Sequence, residues 1–391
     1  MKGARIPVGF IPLVDAAPLI VAQEMGFAAE EGLDLDLQRA PSWSSLRDML
    51  CFGRVDAAHM LSPLPVASAL GLGNVGTGLA AISVLSINGN VIGVSAEMAD
   101  RLRAQGHDFA FNDAHAAGHA LIEAAQGPLR IAVPFPFSMH AELLYYWLNA
   151  LGYPAPQGID IRTVPPPLMA EAIRAGDVDA FCVGEPWGSI VVEEALGSLL
   201  LPTSAIWSFA PEKVLAVRED WAANETELSG RLIRAVWKSG RWLSDPDSRV
   251  LAAEILSRAP YLNMPPEMID RALSGNLTVT PQGLQREVKG FLRFHKGHAT
   301  YPWDSQAQWI ATQLASRMGL ERANAQTRAA QVFRGELYRS ALEGLKVDVP
   351  EECSRAEGAI AAPQRDSATH SVKDSVENRF FDGQIFDPSQ K

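Results

Sequence analysis

Four short segments of the 391-residue chain carry side chains suited to holding a small anion. His140 follows the strand-turn run Ile131 to Met139 and opens an apolar helix, where free N–H groups and the positive dipole end favour negative charge. From position alone it could equally start the helix and face solvent. Lys213 opens the β-rich run Pro211 to Val217, which places an ammonium at the mouth of a buried strand as an anion counter-charge. Trp43 lies in Pro41-Ser42-Trp43-Ser44-Ser45 ahead of a serine-capped helix, where an aromatic side chain staples the helix or walls a ligand. Asn90 closes the turn Asn88-Gly89-Asn90 and offers an amide donor.

Other patterns point away from chemistry. His115 and His119 have the i, i+4 spacing of a metal pair, but the stretch is rich in Ala and Gly and carries no Cys, so an exposed helix without metal is expected. No nucleophile elbow, phosphate loop or zinc-protease motif is present. Gly71 to Gly76 superficially matches a dinucleotide loop, yet it follows a helix and leads into a strand, so it reads as a turn. Catalysis, a cofactor and a resident metal are therefore not implied.

Charge and composition narrow the class further. With 34 Lys and Arg against 45 Asp and Glu, the net charge of -11 disfavours direct binding to nucleic acid or to an anionic membrane. The most apolar run, Ile190 to Leu201, is broken by Glu193, Glu194 and Gly197, short of a bilayer span. Cys51, Cys182 and Cys353 are odd in number and far apart, which suits reduced thiols. Arg5 to Ile11 already reads as a first strand with no export signal ahead of it, so a cytoplasmic location is expected.

The elements that must position these residues alternate as strand and helix up to about residue 220, an α/β pattern with mostly parallel sheets. Gly53-Arg54-Val55-Asp56-Ala57 and Gly176-Asp177-Val178-Asp179-Ala180 recur in equivalent contexts, each after a helix and before a short strand. Two related lobes facing a shared cleft follow from that echo. The expected division is residues 1–95 for lobe 1, 96–205 for lobe 2 with an exposed helical insertion near 105–127, 206–349 returning to lobe 1 with bracing helices, and 350–391 as an extended tail. Beyond Asn224 helices are expected to replace strands, including one over Gln285 to Phe294.

Taken together, these segments resemble the nitrate-binding proteins of the type II periplasmic-binding-protein fold, the group of nitrate and bicarbonate receptors. The shared stretches run from Gly9 to Leu19, through the Ser-Trp segment, Met60 to Pro65, Gly184-Glu185-Pro186-Trp187 and Pro211 to Leu215, to Phe381 to Pro388, nearly the whole chain. The resemblance implies a two-lobed fold with additional C-terminal helices, no enzymatic activity, and an oxyanion between the lobes contacted at Trp43, Asn90, His140 and Lys213. Asn90 stands where the group carries a longer Gln, which alters pocket size, and Lys213 favours a monovalent anion over bicarbonate. With no export signal read, the nearest branch is the cytoplasmic NasS-type nitrate/nitrite sensor, whose partner is an ANTAR-domain RNA-binding antiterminator released when the anion binds. The alternatives are a transport receptor without its leader and, from another class, a thiamine-pyrimidine-synthase-type enzyme, whose Cys-rich motif is missing. On this reading Lys213→Ala is expected to lose the anion while keeping the fold.

Overall fold

The computed structural model describes residues 3–73, 76–359 and 376–390. Strands β1 (Ala4–Phe10), β2 (Leu33–Arg39), β3 (Ala57–Leu61) and β4 (Leu79–Asn88) belong to a first sheet, and β5 (Asn90–Ser95), β6 (Leu129–Val133), β7 (Ile159–Thr163), β8 (Ala180–Gly184) and β9 (Gly197–Pro202) form a second. The chain then returns to the first sheet through β10 (Pro211–Arg218), followed by the short β11 (Asn276–Thr278), β12 (Gln285–Glu287) and β13 (Leu292–Arg293). The first sheet has the order β13-β4-β10-β3-β1-β2 and the second β7-β6-β8-β5-β9, while β11 and β12 pair alone.

In the first sheet β1 is parallel to β2 and β3, and β10 runs antiparallel between β3 and β4. In the second, β6 is parallel to β7 and β8, and β5 runs antiparallel between β8 and β9. Every residue of β4, β8 and β9 is buried, as apolar strands covered on both faces by helices must be. The two-lobed α/β reading of the sequence therefore holds at the level of architecture.

Only Gly89 separates β4 from β5, and its φ of 99° lets the backbone reverse where a Cβ would meet the Leu292 side chain at 2.8 Å. The crossing between sheets thus falls at Gly89, inside the stretch 1–95 expected for lobe 1. One further expectation is overturned. The helix expected over Gln285 to Phe294 is absent: Gly283 and Gly290 take positive φ, and the chain forms β12 and β13 instead, β13 pairing with the end of β4 at Asn88 and Ile87. The helix Ala114–Ala124 keeps His115, Ala116, His119 and Glu123 exposed on one side and packs the other on the helix Met139–Ala150: a Cβ on Gly118 would come within 2.1 Å of Leu151, and Trp147 Nε1 donates to the Ala114 carbonyl at 2.8 Å. The turn read over Gly71 to Gly76 and the tail over 350–391 fall partly on residues 74–75, 360–375 and 391, outside the described residues.

The helix Asp304–Met318 braces the second sheet's helices: Arg317 pairs with the buried Glu142 and stacks 4.9 Å from the Tyr145 ring. Residues 376–390 lock onto the same face. Phe380 is buried against Trp207, centroids 4.7 Å apart, and Trp309, at 5.7 Å and 20° between planes. Asn378 accepts from Trp207 Nε1 at 2.8 Å and donates to Glu357 at 2.6 Å, and Asp382 accepts from the Tyr146 hydroxyl at 2.8 Å. Among the described residues no helix is long and apolar enough to cross a membrane. Because the buried Phe380 packs against both tryptophans, whose own centroids are 4.7 Å apart, Phe380→Ala is expected to cost about 3–5 kcal/mol, read as a lower urea midpoint with unchanged slope.

Candidate functional site

The structure brings the four expected residues to one buried cluster where the two sheets meet. Trp43 is the first residue of the helix Trp43–Cys51, fixed by Ser42, whose hydroxyl accepts from the Ser45 N–H at 3.2 Å. Asn90 is the first residue of β5, paired with Gly184 at the end of β8. His140 is the second residue of the helix Met139–Ala150, capped in the same way by Ser138. Lys213 lies in β10, opposite Leu61 of β3. All four side chains are buried, so His140 does not face solvent and Lys213 does not sit at an open strand mouth.

Three residues that sequence reasoning missed complete the cluster. Lys213 Nζ lies 2.8 Å from Asp15 Oδ2 and 2.8 Å from Glu212 Oε1, and His59 Nε2 lies 2.9 Å from Asp15 Oδ1. His140 Nδ1 is 3.4 Å from the same Glu212 oxygen, and the Trp43 ring covers Nζ at 5.5 Å and the His59 ring at 5.6 Å. Glu212 and Lys213 are adjacent in a strand, where alternation would send them to opposite faces. The register of β10 against β4 shifts between Pro211 and Lys213, a bulge that turns both side chains into the cluster. Asp15 comes from the turn Val14–Ala16 after β1. His59 lies within an apolar strand and Asp15 at the start of a helical run, so neither carried a local sign of function.

Burial raises the cost of every charge here, and pairing decides which survive. Burial alone would lift the Asp15 carboxyl, but Lys213 and His59 hold it well below the usual carboxylate range. Burial works against the Lys213 ammonium, yet Asp15 and Glu212 push its pKa up, so it stays charged. Burial pushes Glu212 up, with Lys213 opposing, and pushes His59 down, with Asp15 opposing. Burial together with Lys213 drives His140 well below its ordinary value, so it is a neutral imidazole. Trp43 Nε1 and both ring nitrogens of His140 are buried without a hydrogen-bond partner, while the Asn90 amide faces the Glu212 carboxyl.

The cluster is sealed where the lobes touch. Val14 N–H donates to the Glu185 carbonyl at 3.0 Å, and Trp187 Nε1 donates to the Pro12 carbonyl at 3.0 Å, so the Gly-Glu-Pro-Trp segment of the second lobe clasps the turn that carries Asp15. Gly184 forms one wall: a Cβ there would lie 3.3 Å from Asn90 Oδ1 and 3.7 Å from Asp15 Oδ2. Cys182 is buried and its thiol is pushed well above its ordinary range by burial, so it offers no thiolate nucleophile. The His115 ring rests against Phe381 at 4.9 Å, and among the described residues no group of three His, Cys, Asp or Glu side chains could hold a metal ion.

A model of the NMT1-like family matches residues 2–257. A nitrate/nitrite binding protein from Synechococcus elongatus, NrtA, is 32% identical over 98% of this chain and 83% of its own length. A nitrate import ATP-binding protein from Synechocystis, NrtC, is 33% identical over 81% of this chain, which spans only 46% of that longer protein. The crystal structure of the periplasmic nitrate-binding protein NrtA from Synechocystis superposes with a TM-score of 0.84 at 27% identity, covering 99% of this chain and 96% of that one.

The geometry revises the expectation that Lys213 can be removed with the fold intact. Lys213→Ala leaves two buried carboxyls facing each other without a cation, and is expected to lose about 3–5 kcal/mol of stability. Asp15→Asn combined with Lys213→Met removes that ion pair and leaves only Glu212, which burial pushes toward its neutral form, and is expected to recover most of that loss. Urea titration of the wild type and the two variants compares them; a single variant as stable as the wild type would contradict the ion-pair account.

Proposed function

This chain belongs to the NMT1-like family, and from that premise we propose that it is a receptor whose two lobes close on nitrate or nitrite. The single observation that carries the reading is the sealed cluster itself: one ammonium, a tryptophan wall, an amide, and the ring nitrogens Trp43 Nε1 and His140 Nε2 buried without partners. A planar, weakly basic, singly charged oxyanion needs one cation and a few directed neutral groups, and no proton donor of full strength. Trp43, Asn90, His140 and Lys213 are the residues we assign to it. No step of bond making is required, which agrees with an inert Cys182 and with relatives named for binding and import rather than for catalysis.

Of the two roles such a receptor could serve, delivery to a transporter has the better support, because the relatives are a binding protein and the ATP-binding component of an importer. The sensor role, with an ANTAR-domain antiterminator as partner and a cytoplasmic location, is the second reading. It is favoured by three unpaired cysteines, Cys51 and Cys353 being partly exposed, which suits a reducing compartment. In either role the ligand shifts lobe closure only by its differential affinity for the open and closed states.

Titration calorimetry tests the ligand. Nitrate or nitrite is expected to bind and sulfate not, and His140→Ala is expected to weaken binding by roughly ten- to a hundredfold. Gel filtration of the protein mixed with the antiterminator separates the roles. An apo complex that nitrate dissociates supports sensing, whereas no complex in either state, with anion-dependent stimulation of a cognate permease's ATPase, supports transport.

A further inference from the structure

The charge inside the cluster does not balance for an anion. Lys213 carries one positive charge and is already held at 2.8 Å by each of two carboxyls, Asp15 and Glu212. The other groups facing Glu212 add no positive charge: His140 is neutral, His59 is held down by burial and serves Asp15, and the Cys182 thiol stays protonated. With Glu212 ionised the site is a net monoanion, and a nitrate entering it would place two uncompensated negative charges in a space closed to water.

We propose that the site takes its anion together with a proton, and that Glu212 is the group that holds the proton. This rests on the receptor reading above. Glu212 Oε1 stays with Lys213, and the carboxyl's other polar neighbour is the Asn90 amide, whose oxygen can accept a hydrogen carried on Oε2 where its N–H favours the ionised form. Burial has already moved the carboxyl upward, and a second anion beside it moves it further in the same direction.

The proton also decides what His140 presents. A neutral imidazole carries one N–H, and its place follows the stronger partner. Neither ring nitrogen has a hydrogen-bond partner, and the charge of a Glu212 carboxylate 3.4 Å from Nδ1 biases the hydrogen toward Nδ1, leaving Nε2 as a lone pair, which repels an oxyanion. Neutral Glu212 removes that pull, and Nε2 carries the hydrogen that an anion accepts. Glu212 is thus a positioning residue for His140 as well as the holder of the proton.

The sign follows from linkage. Above the Glu212 pKa of the free protein, each binding event must take up a proton, so affinity falls by about tenfold per pH unit; below it, affinity is level. Calorimetry with nitrate between about pH 5.5 and 8.5, in buffers of different ionisation enthalpy, is expected to show uptake of close to one proton per anion in the basic range. Glu212→Gln, a permanently neutral side chain, is expected to bind with the same affinity across that range and more tightly than wild type at its upper end. Imidazole nitrogen NMR of the wild type adds a reading independent of the variant's folding, with nitrate expected to move the His140 hydrogen from Nδ1 to Nε2. Binding of nitrate without proton uptake overturns the proposal, as does a wild-type pH slope retained in Glu212→Gln, which would put the proton on a histidine. No binding of nitrate or nitrite at any pH overturns the receptor reading instead.

Discussion

A buried ammonium between two carboxyls is the interaction on which the rest of this structure depends. Lys213 touches Asp15 from the turn after β1 and Glu212 from its own strand, and Asp15 in turn holds His59 of β3. Those contacts tie three neighbouring strands of the first sheet at their ends, beside the crossing into the second sheet at Gly89. Buried ion clusters contribute little net stability compared with an apolar packing of the same volume, whereas removing one partner from such a cluster is costly.

The bulge in β10 makes that arrangement available. A regular strand would send Glu212 away from Lys213, and the cluster would hold one carboxyl and one ammonium, balanced and without the second carboxyl. The irregular register against β4 adds the second carboxyl without moving the strand out of the sheet. Its geometry is supported from outside, since the Ser62 hydroxyl donates to the Pro211 carbonyl at 2.6 Å and the Ser62 N–H to the Glu212 carbonyl at 3.2 Å.

Lobe contacts and C-terminal packing bear on the same element. The helix that presents His140 also presents Glu142 to Arg317 and Tyr146 to Asp382, so its inner turn faces the cluster while its outer side is held by the bracing helix and the docked chain end. Burial pushes Glu142 up to about 7 against the pull of Arg317. Movement of the second lobe therefore has to carry those outer contacts along or break them, which links opening of the site to the C-terminal face.

The sequence by itself determined the alternation of strands and helices, the serine caps that place Trp43 and His140, the Asn-Gly turn before β5, and four residues that the fold brings together. Those features are short-range: periodicity, caps and turns are encoded within a few residues of where they act. It did not determine that Lys213 is already paired, that Asp15 and His59 join it, or that Gln285 to Phe294 forms strands around two positive-φ glycines. Asp15, His59 and Lys213 are far apart along the chain, and their meeting depends on strand order. The facing of Glu212 depends on a single-residue slip of register, and a mixed polar and apolar stretch such as Gln285 to Phe294 does not show by its spacing whether it packs as a helix or as short strands. Only the tertiary structure decides such matters, because pairing partners and burial, not local propensity, set the electrostatic state of each group.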